Sequence, residues 1–295
     1  MSLQVEIFIE HVLNGLTLGA LYAVVTMGLA LIFGVARLVN FAYGDLFMIG
    51  GYSLFLLLTW DAVEIPYPMI VVLVVLVTAA ASLLLERIAI RPIVNKSWRV
   101  HAVATLGISI VLQNLAQIQF TSDPKQTPTS ISRHIITPFG IRMSLQRVVI
   151  LVVVIVVFIG LNYFIHRTKL GKAIRAVSQN REMCEIVGID VGRIILITFV
   201  ISGALAGLAG ALVSPLFSVV PTMGSQLTLK GLAAVILGGL GRLNGAVYAA
   251  FFLGMVEAMF AGYVEFAYRD AVAFGVFITI LLVRPQGVFG RKVGL

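Results

Sequence analysis

Four polar side chains, Thr105, Ser109, Gln113 and Gln117, recur at intervals of four inside an otherwise apolar stretch of this 295-residue chain. That spacing sets them along one slowly drifting face of a helix, with Asn114 beside it. Uncharged amides and hydroxyls of this kind either line a hydrated path for a polar solute or bond between helices, and the pattern serves both. Asn14 and Thr17 lie in an earlier apolar stretch and join the candidate path residues. Two carboxylates stand in apolar stretches as well, of which Glu257 joins the candidate path and Asp45 reads as a helix cap. Glu257 lies well inside an apolar stretch, where it suits a proton carrier, a pore group or half of a buried pair. Asp45 stands near the start of another, where a helix amino terminus can hold a carboxylate. None of this is the equipment of an enzyme. No Ser/His/Asp set, HExxH or CxxC is present, the four histidines are scattered, and Cys184 is the single cysteine. No metal or cofactor is therefore expected on this chain.

The elements that must position these groups follow from composition. Hydrophobic residues make up 60% of the chain and charged residues 12%, with a mean hydropathy of +1.05. Soluble domains carry about a quarter charged residues, and no soluble core absorbs such an excess of apolar ones. Apolar runs of about 18 residues or more, the length that crosses a bilayer, recur down the chain. Nine crossings can be marked, at 12–33, 41–60, 68–85, 100–120, 148–165, 194–220, 227–240, 245–263 and 268–283. The expected fold is an all-α polytopic membrane bundle of about eight to nine transmembrane or re-entrant helices. The seventh segment is short and glycine-rich, which predicts a re-entrant or broken helix. The first ten residues contain no Lys or Arg, so the first span is expected to be retained rather than cleaved as a signal peptide.

Placing the amino terminus outside puts 15 of the 21 Lys and Arg residues inside. The six left outside are Lys125, Arg133, Arg142, Arg147, Lys230 and Arg269. The net charge of +8 is thus split among separate short loops, which argues against a nucleic-acid face. Residues 121–147, with Pro124, Pro128 and Pro138, predict an external loop holding a small hairpin or cap. Residues 166–193 predict two short cytoplasmic helices, the first over 169–177 and the second capped by Asn180, with Glu182 in its first turn and Gly188 at its end. Gly203, Gly207 and Gly210 form a small-residue ridge suited to close helix packing. The run 238–245 is rich in glycine but lacks the Gly-Lys-Ser/Thr of a phosphate loop, so energy for active transport has to come from an ion gradient or a separate ATPase. No inverted internal repeat is discernible in the sequence.

Several ordered strings carry a resemblance. Asn14-Gly15-Leu16, Ala20-Leu21-Tyr22-Ala23 and Arg37-Leu38-Val39-Asn40-Phe41-Ala42-Tyr43-Gly44-Asp45 are followed by Thr168-Lys169-Leu170-Gly171-Lys172-Ala173-Ile174-Arg175-Ala176-Val177. Ala234-Val235-Ile236-Leu237-Gly238-Gly239-Leu240-Gly241 and Arg284-Pro285-Gln286-Gly287-Val288-Phe289-Gly290 come last. Together they resemble the branched-chain amino-acid permeases of bacterial ABC importers, in particular the H-type member of the pair. Urea, short-amide and other amino-acid permeases are similar across these motifs, and a gradient-driven transporter is the competing class. The resemblance implies one transmembrane permease domain over 1–295 in the inner membrane, amino terminus periplasmic and carboxy terminus cytoplasmic. It implies a second homologous permease, two cytoplasmic ATPase subunits that use the ATP, and a periplasmic solute-binding protein. It also implies that the cytoplasmic loop faces the ATPases, with Arg175, Asn180, Arg181, Glu182, Glu185 and Gly188 as the coupling residues.

Overall fold

The computed structural model describes residues 3–38, 40–59, 66–94, 96–127, 129–136, 143–284 and 287–288. All nine marked segments are helical. They are α1 (Leu3–Ala36), α2 (Tyr43–Leu58), α3 (Tyr67–Leu85, continued by a π-helical turn Glu86–Ile90) and α4 (Trp98–Phe120), then α6 (Leu145–Arg167), α9 (Val191–Val213), α10 (Met223–Gly238), α11 (Leu243–Tyr263) and α12 (Arg269–Val283). A one-turn helix α5 (Ser130–Arg133) and an antiparallel pair, β1 (Ile135–Ile136) with β2 (Met143–Ser144), lie between α4 and α6. They form the small hairpin expected there, while Pro128 and Pro138 lie outside the described residues. Two short helices, α7 (Lys169–Gln179) and α8 (Arg181–Ile186), lie at the opposite end of the bundle, between α6 and α9.

Among the described residues seven helices are long and apolar enough to cross a membrane, α12 only together with the 3-10 turn Phe266–Tyr268 that leads into it. The two that are not, α2 and α10, have 16 residues each. At about 1.5 Å per residue each spans about 24 Å, short of a hydrocarbon core of about 30 Å. The seventh segment was expected to be short. The second was marked as a full crossing over 41–60, and this is corrected: α2 begins beside the middle of α9, where the Tyr43 hydroxyl donates to the Ser202 carbonyl at 3.2 Å. The sixth segment was drawn to 220, but α9 stops at Val213, with Pro215 just past its cap. The chain then turns back, and Val219 pairs with Lys125.

Packing reveals a symmetry that the sequence conceals. α3 lies along α9 as α11 lies along α1, and α2 follows α9 as α10 follows α1. Likewise α2 packs on α3 and α4 as α10 packs on α11 and α12. Since α1 and α9 run in opposite directions, the two sets of four helices form an inverted repeat, one that is not discernible in the sequence. The amino termini of the two short helices meet on its axis. A Cβ on Gly224 would lie 1.9 Å from the Gly44 carbonyl oxygen, and one on Gly44 would lie 2.2 Å from that of Gly224. Each glycine is followed seven residues later by another, Gly51 and Gly231, which is nearly all the sequence similarity the repeats retain there.

Close approach recurs wherever a long helix crosses another. Gly203 and Gly207 bring α9 onto α3, where a Cβ on Gly207 would fall 1.8 Å from Thr78 Oγ1, and Gly210 meets the α2 backbone at Phe47. Gly19 meets Gly254 between α1 and α11 in the same way. In lipid such contacts carry the association, because apolar side chains gain little by leaving an equally apolar solvent. Gly224→Val is expected to cost more than the about 1–3 kcal/mol typical of overpacking, since the clash is with backbone. The thermal midpoint of the purified chain in detergent measures it, and an unchanged midpoint would refute the crossing.

Candidate functional site

One charged cluster is buried in the bundle. Lys230 of α10 donates to Glu257 of α11 at 2.7 Å and lies 2.7 Å from Asp270 at the start of α12. The second Glu257 oxygen accepts from the Tyr22 hydroxyl of α1 at 2.7 Å, and Lys230 also donates to that hydroxyl at 3.0 Å. Arg269 stands 3.7 Å from both carboxylates. Glu257 is 1% exposed. Two cations thus balance two carboxylates, which is what makes charges tolerable at this depth: an ion stripped of water costs several kcal/mol unless paired and hydrogen-bonded. Lys230 was assigned to the external loops from the sequence. It is instead inside the helix bundle, and the positive bias toward the other end is stronger for its removal.

Two cavities flank the cluster on the side of the hairpin. One, about 250 Å³, lies between α1, α10 and the end of α9, with Leu18, Leu21, Val213, Phe217 and Leu227 as apolar walls and Tyr22, Gln226, Lys230, Glu257 and Arg269 as polar ones. The other, about 370 Å³, is lined by His11, Asn14, Thr17, Arg147, Phe217, Glu257 and Arg269 among others. They share Leu18, Phe217, Glu257 and Arg269. Asn14, Thr17 and Glu257, far apart in sequence, therefore meet at one place. Asn14 Oδ1 accepts from the Arg147 guanidinium, and the Thr17 hydroxyl turns back to the Leu13 carbonyl.

The regular row on α4 goes elsewhere. Thr105 accepts from the Phe41 amide at 3.2 Å. The Gln113 amide nitrogen, with two N–H groups to give, stands 3.0 Å from Asp45, 2.9 Å from Ser109 and 3.0 Å from Ser225. These bonds tie α4 to the first turns of α2 and α10, beside the Gly44–Gly224 crossing, rather than to either cavity. Gln117 is exposed and donates to Ser122 at 2.6 Å, and Asn114 returns to its own helix at Ile110.

At the far end, Asn180 caps α8 by accepting from the Met183 amide at 3.1 Å, and Gly188 at φ +82° closes it. Glu182 and Glu185 are exposed, as is Arg175 on α7. Arg181 points inward, donating to the Val35 carbonyl at the end of α1 at 2.8 and 3.2 Å. In return Arg37, at φ +50°, donates to the Ser178 and Gln179 carbonyls of α7 at 3.0 Å. Partial burial and then the neighbouring Arg37 lower the Arg181 pKa, while Glu185 raises it. Among the described residues no group of three or more His, Cys, Asp or Glu is placed to hold a metal ion.

The model of the family described as "Branched-chain amino acid transport system / permease component" matches residues 11–281. The chain belongs to this family. It is 34% identical to the high-affinity branched-chain amino acid transport system permease protein BraD of Pseudomonas aeruginosa, over 96% of each chain. It is 30% identical to the corresponding protein LivH of Escherichia coli, over 99% of this chain and 98% of that one. The ribose import permease protein RbsC of Escherichia coli is 31% identical over 62% of this chain and 60% of its own. No solved structure matches.

The permease holds functional candidates that its sequence conceals. Lys230, Tyr22, Arg269 and Asp270 complete the cluster around Glu257, and one signal could have exposed the first of them: a lysine within an apolar segment requires an acid, and Glu257 is an acid deep in the next such segment. Met183, Ile186 and Val187 project from α8 of the permease at 60%, 78% and 72% exposure. Their apolar character in a charged loop was the available signal.

Proposed function

We propose that this permease is the membrane-spanning subunit of an ATP-driven importer for branched-chain amino acids, and that the solute passes through the cavities around Lys230 and Glu257. The observation that carries this reading is a site with both signs of charge between apolar walls, in a chain similar over nearly its whole length to branched-chain amino acid permeases. Such a solute is a zwitterion with an aliphatic tail. Lys230 and Arg269 suit its carboxylate, Glu257 its ammonium group, and Leu18, Leu21 and Val213 its tail. Each contact with the solute replaces one inside the resident cluster, so its charges are never stripped of water without compensation. Because the cluster resumes its own pairs when the solute leaves, retention is weak, as a path requires.

The chain forms one transmembrane domain in a bacterial inner membrane, with its amino terminus and the hairpin periplasmic and α7 and α8 cytoplasmic. A second homologous permease completes the pathway, a periplasmic binding protein delivers the solute, and two ATPase subunits hydrolyse ATP beneath α7 and α8. Nucleotide closure pushes α8, and the Arg181–Val35 and Arg37–α7 bonds pass that push to α1, shifting the bundle between states that open on opposite sides. Proteoliposomes holding this chain with its genomic-neighbour permease, ATPases and binding protein are expected to accumulate labelled leucine only with ATP inside. Uptake by this chain alone, abolished by collapsing the proton gradient and indifferent to ATP, would overturn the assignment.

A further inference from the structure

A separate pair of cavities lies at the end of the bundle that carries α7 and α8. The larger, about 410 Å³, opens between α1, α7 and the first turn of α11, and its polar lining includes Arg175, Arg242, His166, Ser178 and Asn244. The smaller, about 370 Å³, shares His166 and Asn244 with it and runs out along α6 past Phe158, Ile159 and Tyr163. Among the described residues no carboxylate lines either one. Ile159 and Tyr163 are 62% and 66% exposed on a helix long and apolar enough to cross a membrane, so this outlet opens toward acyl chains. The first turn of α11, at Leu243, Asn244 and Gly245, adds the positive end of a 21-residue helix with no side-chain cap.

A basic, hydrogen-bonding chamber joined to an apolar groove on the lipid-facing flank matches a molecule with an anionic head and a hydrocarbon tail. We propose that the permease binds one anionic phospholipid here, its phosphate between Arg175 and Arg242 and one acyl chain along Phe158, Ile159 and Tyr163. Basic pockets between helices at a membrane surface recognise anionic headgroups in this way. The bound lipid bridges α7 to the start of α11, tying the short helices to the bundle at a point remote from the charged cluster. A free phosphate offers the same headgroup chemistry without the chain, and the outlet along α6 is what favours the lipid.

The test uses the full chain in detergent, delipidated and then offered phosphatidylglycerol or phosphatidylethanolamine, with retained lipid counted by native mass spectrometry. Phosphatidylglycerol is expected to be kept in preference, and the combined variant R175Q/R242Q to weaken that retention by about tenfold or more. R99Q removes an exposed arginine from the start of α4, away from either cavity, and is expected to leave retention unchanged. Ile159→Trp fills the outlet from an exposed position that folding does not depend on, and is expected to lower retention with both arginines intact. Equal retention of the two lipids overturns the proposal, as does retention unaffected by both R175Q/R242Q and Ile159→Trp. Inorganic phosphate that stabilises the chain as well as phosphatidylglycerol does would mark a free-anion site and overturn it too.

Discussion

Glu257→Ala is expected to destabilise the bundle by about 3–5 kcal/mol and to abolish ATP-driven uptake, because it leaves two cations, Lys230 and Arg269, to share the single carboxylate of Asp270 and takes the acceptor from the buried Tyr22 hydroxyl. The thermal midpoint in detergent and leucine uptake in proteoliposomes measure the two effects. Loss of both together would not separate a structural pair from a solute-handling one. The double variant Lys230→Met with Glu257→Leu does. It removes one charge of each sign and leaves Arg269 and Asp270, 3.7 Å apart, to pair with each other. Replacing a whole buried ion pair by apolar side chains is commonly neutral or stabilising, so the midpoint is expected to return most of the way to that of the parent chain, short only by the partners the Tyr22 hydroxyl loses. Uptake is not, because the cavity then lacks Lys230 and Glu257 for the zwitterion. If the double variant recovers uptake along with stability, the cluster only holds the helices together, and the solute takes another route.

Ile186→Asp combined with Val187→Asp is expected to lower both ATP-driven uptake and ATPase co-purification by roughly 30-fold or more, the loss that follows from removing an interface anchor worth about 2 kcal/mol. The two side chains touch little of their own bundle, at 78% and 72% exposure, so insertion and thermal midpoint should be those of the parent. Glu182→Arg, at the rim of the same helix, is expected to act more weakly and to depend on salt. Unchanged uptake in the aspartate variant would remove α8 from the coupling surface.

The features read most readily from the sequence are those that depend on local pattern. Apolar runs mark the helices, Asn180 and Gly188 bracket α8, and the spacing of Gly203 and Gly207 marks a close crossing, because each signal lies within a few residues of its effect. Depth is another matter. Nothing in residues 41–60 announces that α2 starts beside the middle of α9, since an apolar half-helix and an apolar full one have the same composition. Thr105, Ser109 and Gln113 have the spacing of a path and the bonds of a junction, and only the partners Phe41, Asp45 and Ser225 distinguish the two. The inverted repeat is lost from the sequence because what two antiparallel copies must keep is small volume at crossings, which Gly, Ala and Ser all supply.

Arg37 and Arg181 each hold a carbonyl of the other's segment. A single tie of this sort would act as a swivel, passing on a pull but allowing α1 and the α7–α8 pair to turn independently. Two ties at separate points remove that freedom, so a tilt of α8 arrives at the end of α1 as torque as well as displacement. Only Arg37 to Ala42 separate that end from α2, whose amino terminus abuts α10 at Gly44 and Gly224. A twist imposed at one surface therefore has a short route along the chain to the axis about which the two halves of the bundle are related.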